Sequence, residues 1–226
     1  MNNDDLLTKI LTCVELGKVN RITPFPPEMK DMDGADELTR LALERGFKPS
    51  EILNDALIKA MDKVGQKFAD KKIFVPQMLI SARAMNASMV HLKPYFQSGE
   101  VKRKGKLIIG TVAGDLHDIG KNLVAMIVEG AGWEVIDLGV DVSAQKYIQT
   151  IQEHGDAVVG LSALLTTTMH NMRSIVADIK SSFPAVTLMI GGAPVTEQFR
   201  AEIGADGYAS DPQGAVTYLN SLIHEV

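Results

Sequence analysis

Apolar positions follow one period in the first part of this chain and another in the last. Leu53, Ala56, Leu57, Ala60, Met61, Val64 and Phe68 recur at the spacing that places side chains on one face of a helix. Val75, Met78, Leu79, Ala82, Met85, Met89 and Leu92 repeat the pattern, with Pro76 near the start, where a missing N–H costs nothing. Gly46 and Pro49 stop one helix and start the next. With further helices predicted over 4–18 and 35–45, residues 1–95 read as a small antiparallel helical bundle. Residues 21–34, with prolines at 24, 26 and 27, are predicted to be a loop.

Downstream, short apolar runs rich in β-branched residues alternate with helical segments. Strands are predicted at 107–112, 134–138, 157–161, 187–190 and 207–209, and helices near 119–131, 143–154, 168–182, 195–203 and 212–223. A strand–helix unit repeated in this way implies a parallel sheet covered on both faces. The fold expected is thus an N-terminal all-α helical bundle followed by a C-terminal α/β Rossmann-like (flavodoxin-like) domain with a five-stranded parallel sheet. If the strand order is 2-1-3-4-5, ligands bind beyond the carboxyl ends of strands one and three, where the winding reverses. Around 94–105 the chain breaks helical periodicity and turns polar and basic, so the domains expected are 1–95 and 106–226, joined by a linker at 96–105.

Composition narrows the classes of function. The 226 residues are 46% hydrophobic and 23% charged, as in an ordinary globular protein, and the net charge of −5 argues against a broad nucleic-acid footprint. The single cysteine, Cys13, makes neither an internal disulfide nor a CxxC pair. The acidic start, Met1-Asn2-Asn3-Asp4-Asp5, is unlike a secretory signal, and no apolar run reaches the ~20 residues that span a bilayer. A cytoplasmic protein with no nucleic-acid or membrane partner is expected.

The chemistry begins just after the first predicted strand, at Gly114-Asp115-Leu116-His117-Asp118-Ile119-Gly120-Lys121-Asn122. A histidine two residues after an aspartate can offer one ring nitrogen to a metal while the other donates to the carboxylate. Gly120 lets a bulky group approach the backbone as the next helix begins. His91, His154, His170 and His224 form no spacing that closes a zinc site with His117. One protein nitrogen suits a cofactor that brings its other ligands, as a corrin does with four equatorial nitrogens. The plainer reading has Asp115 and Asp118 capping a helix and His117 idle. After the third strand, Ser162, Thr166, Thr167 and Thr168 can bind a nucleotide tail, complete a relay to the aspartate, or cap the following helix. After the fourth, Gly191-Gly192-Ala193-Pro194 leaves either a channel or a tight turn.

Taken together, these loops resemble those of the corrinoid (cobalamin-binding) proteins of methyltransferase systems, and of the corresponding modules of cobalamin-dependent methionine synthase. DLHDIGKN (115–122) matches the Asp-x-His-x-x-Gly signature, and GLSALLTTT (160–168) and GGAP (191–194) match the second and third loops. KKIFVPQM (71–78) followed by SARAM (81–85) is similar to the helical cap of the methyl-transferring branch, so the resemblance covers most of the chain. It implies cobalamin, as methylcobalamin, cob(I)alamin or a related corrinoid, bound with its own base displaced and buried in the Rossmann-like domain. His117 then ligates cobalt from below, Asp115 bonds the histidine, and Thr168 bonds the aspartate. Ser162, Leu164 and Thr166 contact the tail with Gly191, Gly192 and Tyr208 beside it, while Asp118, Ile119 and Gly120 complete the first loop. Phe74, with Met78 or Met85, covers the methyl-bearing face, although the methionines serve equally well as bundle core. Residues 21–34 depart from the pattern by lengthening the connection after the first helix.

The function implied is a carrier loaded by a substrate-specific methyltransferase and unloaded by a second one, to an acceptor such as tetrahydrofolate or a thiol. A reductive activase is a further implied partner, and the linker a hinge. No further catalytic domain is visible, so the chain is expected to act as a subunit of an enzyme system. The alternatives are a cobalamin-sensing regulator and the small subunit of an adenosylcobalamin mutase; the KKIFVPQM segment favours methyl chemistry over both.

Overall fold

The computed structural model describes residues 3–97 and 102–223. The chain divides into two compact units, Met1–Arg103 with Gly130–Gly132, and Lys104–Glu129 with Trp133–Val226.

The first unit is helical. Helix α1 (Asn3–Leu16) and α2 (Ala35–Glu44) precede a long helical run built from α3 (Pro49–Glu51), a π-helical stretch (Ile52–Ile58) and α4 (Lys59–Ala69); α5 (Val75–Gln97) packs on α1, α2 and α4. Helix α1 stops short of the expected residue 18. Gly17 takes a φ of +80°, and the N–H groups of Gly17 and Lys18 bond back to the carbonyls of Val14 (3.2 Å) and Cys13 (2.7 Å), closing a Schellman cap. Helix α2 ends in the same way at Gly46, as expected. The proline-containing loop is tied at both ends: the N–H groups of Ala35 and Asp36 donate to the carbonyls of Lys18 and Val19, each at 3.0 Å. Inside it Pro27–Met29 forms one 3-10 turn, and the wholly buried Lys18 donates to the Thr23 carbonyl at 2.7 Å. Helix α5 runs through Pro94 to Gln97, past the break expected there. Pro94 removes one bond, to the carbonyl of Val90, at an exposed position where water replaces it. Residues 98–101 of the expected linker, and His224, lie outside the described residues.

Cys13 is buried, and burial pushes its thiol up to about 11 against the opposing pull of Lys18, so the sulfur is un-ionised and inert at neutral pH. Among the described residues no helix is long and apolar enough to cross a membrane.

The second unit alternates strand and helix: β1 (Lys106–Thr111), α6 (Ile119–Gly130), β2 (Glu134–Asp137), α7 (Ala144–His154), β3 (Val158–Ser162), α8 (Thr166–Ser182), β4 (Leu188–Gly191), α9 (Glu197–Ile203), β5 (Gly207–Ala209) and α10 (Pro212–Ser221). All pairings are parallel and the order is β2-β1-β3-β4-β5. Side chains alternate across the sheet. Ile108, Val159, Leu188 and Ile190 pack with Tyr147 of α7, Ile175 of α8 and Phe199 of α9. Leu107, Ile109, Gly160 and Met189 therefore face the other way, towards α6 and α10.

Tyr147 is fully buried, and among the described residues its hydroxyl is the buried side-chain polar atom with no hydrogen-bond partner. Burial raises its pKa, chiefly by desolvation and then by the charge of Asp137. A partnerless buried hydroxyl is a net cost, so Tyr147→Phe is expected to raise stability by about 1 kcal/mol, measured as an upward shift of the thermal midpoint. A fall of that size would show that the hydroxyl has a partner.

Candidate functional site

The reversal of winding between β1 and β3 leaves the loops after these strands side by side, and one carboxylate joins them. Asp115 is completely buried. Its Oδ1 accepts the backbone N–H of His117 at 3.0 Å and the ring Nδ1–H at 2.7 Å. Its Oδ2 accepts the Thr168 hydroxyl at 2.6 Å and the Leu164 N–H at 2.8 Å. Burial alone would raise the pKa of such a group. The bonds from Thr168, Leu164 and His117 together outweigh it and hold the carboxyl well below the usual carboxylate range.

An ionised carboxylate only accepts, so Nδ1 of His117 carries a proton, and in the neutral ring the lone pair is then on Nε2. The backbone that carries the ring is also bonded: the Thr111 hydroxyl donates to the His117 carbonyl at 2.9 Å. Asp141 braces the same turn, accepting from the N–H of Gly114 at 2.7 Å and donating its own N–H to the Asp115 carbonyl at 3.0 Å. The His117 side chain is nonetheless 49% exposed. It stands at the head of a cavity of about 610 Å³ that runs between the sheet and helices α6 and α10.

Of the residues read from sequence, His117, Asp118, Ile119, Gly120, Ser162, Leu164, Gly191 and Gly192 line this cavity. Asp115 and Thr168 lie behind His117, outside the lining and bonded in series to its ring. Leu116, Ile119 and Leu164 carry 72%, 82% and 45% exposure, an apolar collar around the histidine. Thr166 is exposed at the first position of α8, outside the lining. Helix α8 has Leu165 at its N-cap with no side-chain cap bond, so the hydroxyls after β3 are not used for capping. At Gly191-Gly192 turn and channel coincide. Gly192 adopts φ +126°, and a Cβ there would sit 1.8 Å from the Ala163 carbonyl oxygen, while Gly191 forms cavity wall.

Tyr208 is placed differently from the sequence reading. It pairs with Ile190 and packs with it on the α7–α9 face, and its neighbour Ala209 lines the cavity instead. In the helical unit, Phe74 is 64% exposed, whereas Met78 and Met85 have no exposed surface. The sequence reading missed Gly160, a glycine inside an apolar strand that opens the floor of the cavity, and Lys121, 2% exposed and held by Asp137 and by Asn122 at 2.6 Å.

Among the described residues no group of three His, Cys, Asp or Glu can hold a metal ion. A metal facing Nε2 must bring its other ligands. The apolar collar and the deep, largely apolar cavity fit a large planar cofactor with a tail, and a corrinoid has both parts.

Comparison with known proteins defines the class first. Residues 105–217 match the B12 binding domain, and residues 30–93 match a second, N-terminal B12 binding domain. A corrinoid protein of Desulfitobacterium hafniense is 34% identical over 85% of this chain and 92% of its own length. The trimethylamine corrinoid protein of Methanosarcina barkeri is 35% identical over 90% of this chain and 93% of its own. The methanol:cobalamin methyltransferase complex MtaBC from Methanosarcina barkeri contains a chain of the same fold, with a TM-score of 0.81 and 27% identity, covering 99% of this chain and 81% of that one. The chain therefore belongs to the corrinoid proteins of methyltransferase systems, and cobalamin or a related corrinoid is its cofactor.

Thr168→Val keeps the shape of the side chain but removes the 2.6 Å bond to a buried carboxylate. It is expected to lower the stability of the cofactor-free protein by about 2 kcal/mol, read from denaturant unfolding. An unchanged midpoint would show that Asp115 does not depend on this hydroxyl.

Proposed function

We propose that this chain is a methyl carrier that binds its corrinoid with the nucleotide base displaced from cobalt and Nε2 of His117 in its place. The observation that carries this reading is the buried Asp115 holding a half-exposed His117 at the head of a deep cavity. The cofactor supplies the chemistry, a cobalt centre that can accept a methyl group and give it up again.

The protein's residues do the rest. Asp115 fixes the tautomer of His117 and raises the electron-donating power of Nε2. Thr168 and the Leu164 N–H keep that carboxylate ionised and aimed. Leu116, Ile119 and Leu164 exclude water from the face beside the histidine, and the cavity receives the displaced tail. Of the helical residues proposed to shield a methyl group, Phe74 is exposed and available for that role, while Met78 and Met85 belong to a buried core.

Relatives named for trimethylamine and dimethylamine, and a structural relative from a methanol complex, point to donor choice by a separate substrate-specific methyltransferase. A second methyltransferase delivers the methyl to an acceptor such as tetrahydrofolate or a thiol. A reductive activase would be the partner that keeps the bound cofactor in its active state, and a cytoplasmic setting suits such a partner.

Incubated with hydroxocobalamin and desalted, the protein is expected to retain cobalt and to show the visible spectrum of a base-displaced, nitrogen-ligated corrinoid. His117→Gly should shift that spectrum to one lacking the nitrogen ligand; an unaltered spectrum would exclude His117. Asp115→Asn should weaken retention by about 10- to 100-fold, the usual effect of losing a partner that orients a metal-bound histidine.

A further inference from the structure

Resting on the reading that the displaced tail enters the cavity, we propose that the cavity selects the corrinoid by its lower base. It takes a base with a carbon-substituted apolar edge, such as dimethylbenzimidazole, in preference to a purine such as adenine. The lining separates into two chemistries. The polar groups His117, Asp118, Lys121, Ser162, Ser210 and Asp211 all lie at the carboxyl ends of the strands or in the first turn of α6. Deeper, the lining is Leu107 and Ile109 of β1, Gly160 of β3, Met189 of β4, and Leu123 and Val124 of α6. Leu107 is four residues before Thr111, so at about 3.3 Å per residue the floor reaches about 13 Å below the sheet edge. That depth is enough for a bicyclic base.

The backbone of this floor has nothing to offer a polar base. Strands β1, β3 and β4 each have a parallel neighbour on both sides, so their N–H and C=O groups are committed to the ladders. Val124 and Leu123 lie within α6, whose backbone is bonded internally. Lys121, the cationic side chain of the lining, is itself buried and already committed to Asp137 and Asn122, so it is not free to meet a base on the floor. Gly160 places no side chain at the centre of the floor, between those of Ile109 and Leu107, which would stand 3.4 Å from a Cβ there. The exocyclic amine and ring nitrogens of a purine would enter unpaired, whereas the methyl groups of dimethylbenzimidazole would meet Leu, Ile, Val and Met.

Competition between the dicyano forms of three corrinoids tests this: dimethylbenzimidazolyl cobamide, adeninyl cobamide and tail-less cobinamide. Cyanide occupies both axial positions, so neither base starts on cobalt and His117 plays no part in the ranking. The wild-type protein is expected to hold the dimethylbenzimidazolyl form at least about tenfold more tightly than the adeninyl form, about 1.4 kcal/mol. Val124→Asn and Met189→Gln, each placing an amide on the floor, should bring that ratio towards one. Equal binding of the two cobamides, both tighter than cobinamide, would overturn base selection and leave the carrier reading intact. Equal binding of all three would show that the tail stays outside the cavity and would overturn this inference. Failure to retain any corrinoid, in cyanide or as hydroxocobalamin, would overturn the carrier reading as well. A tenfold ratio that persists in both folded variants would place the selection elsewhere and overturn the role given to the floor.

Discussion

A buried carboxylate is tolerated only where its charge is fully matched, and in this chain the matching of Asp115 organises the site. Its two oxygens take four hydrogen bonds within 3.0 Å, from the loop after β1 and from the loop and helix after β3. Releasing either loop would leave a charge in a dry interior, at a cost of several kcal/mol. The two loops are therefore locked to each other without help from a cofactor. His117 inherits its tautomer, ring orientation and position from that lock. The cavity then follows from topology: strand order β2-β1-β3-β4-β5 separates these loops from the α6–α10 face just where the sheet is open.

Much of the architecture was legible because it rests on local signals that agree with one another. β-branched runs alternating with amphipathic segments forecast the five strands, the order observed is the one the sequence left as a condition, and Asp-x-His followed by glycine pointed to the loop at the head of the cavity. Other features needed context. Gly17 carries the same helix-stop signal as Gly46, yet the sequence reading ran the first helix to residue 18, and only the bonds back to Val14 and Cys13 show the stop. The break expected from Pro94 onward rests on lost periodicity and polar, basic residues, yet the helix runs on to Gln97, because proline removes a single bond at an exposed surface. Thr166 and Thr168 are alike in sequence, and only the rotation of α8 turns Thr168 towards Asp115 and leaves Thr166 in solvent. Tyr208 and Ala209 differ by one step of strand parity, which a three-residue strand is too short to reveal as a pattern.

The depth of the cavity was the least legible feature. It depends on what is missing: the side chain of Gly160, flanked by Ile109 and Met189 in the ladder, and the small residues Ala209 and Ala215 on the far wall. A strand such as VVGLS reads as an ordinary buried strand with one weak position. Only when its neighbours are known does the glycine become a hole, and Lys121 likewise looks like a surface lysine until Asp137 is brought beside it.

Polar and apolar parts of the site have separate tasks, and their energetics differ accordingly. The polar lock is satisfied within the protein, so it contributes orientation without having to be assembled on binding, which lowers the entropic cost of seating a cofactor. The collar of Leu116, Ile119 and Leu164 is the reverse: exposed in the cofactor-free protein, it gains only when covered, at roughly 25 cal/mol per Å² of apolar surface removed from water. Affinity should then come mainly from collar and cavity, and geometry at the metal from Asp115. A carrier would gain from that division, because apolar contacts would keep the cofactor in place whatever demands its chemistry made on His117.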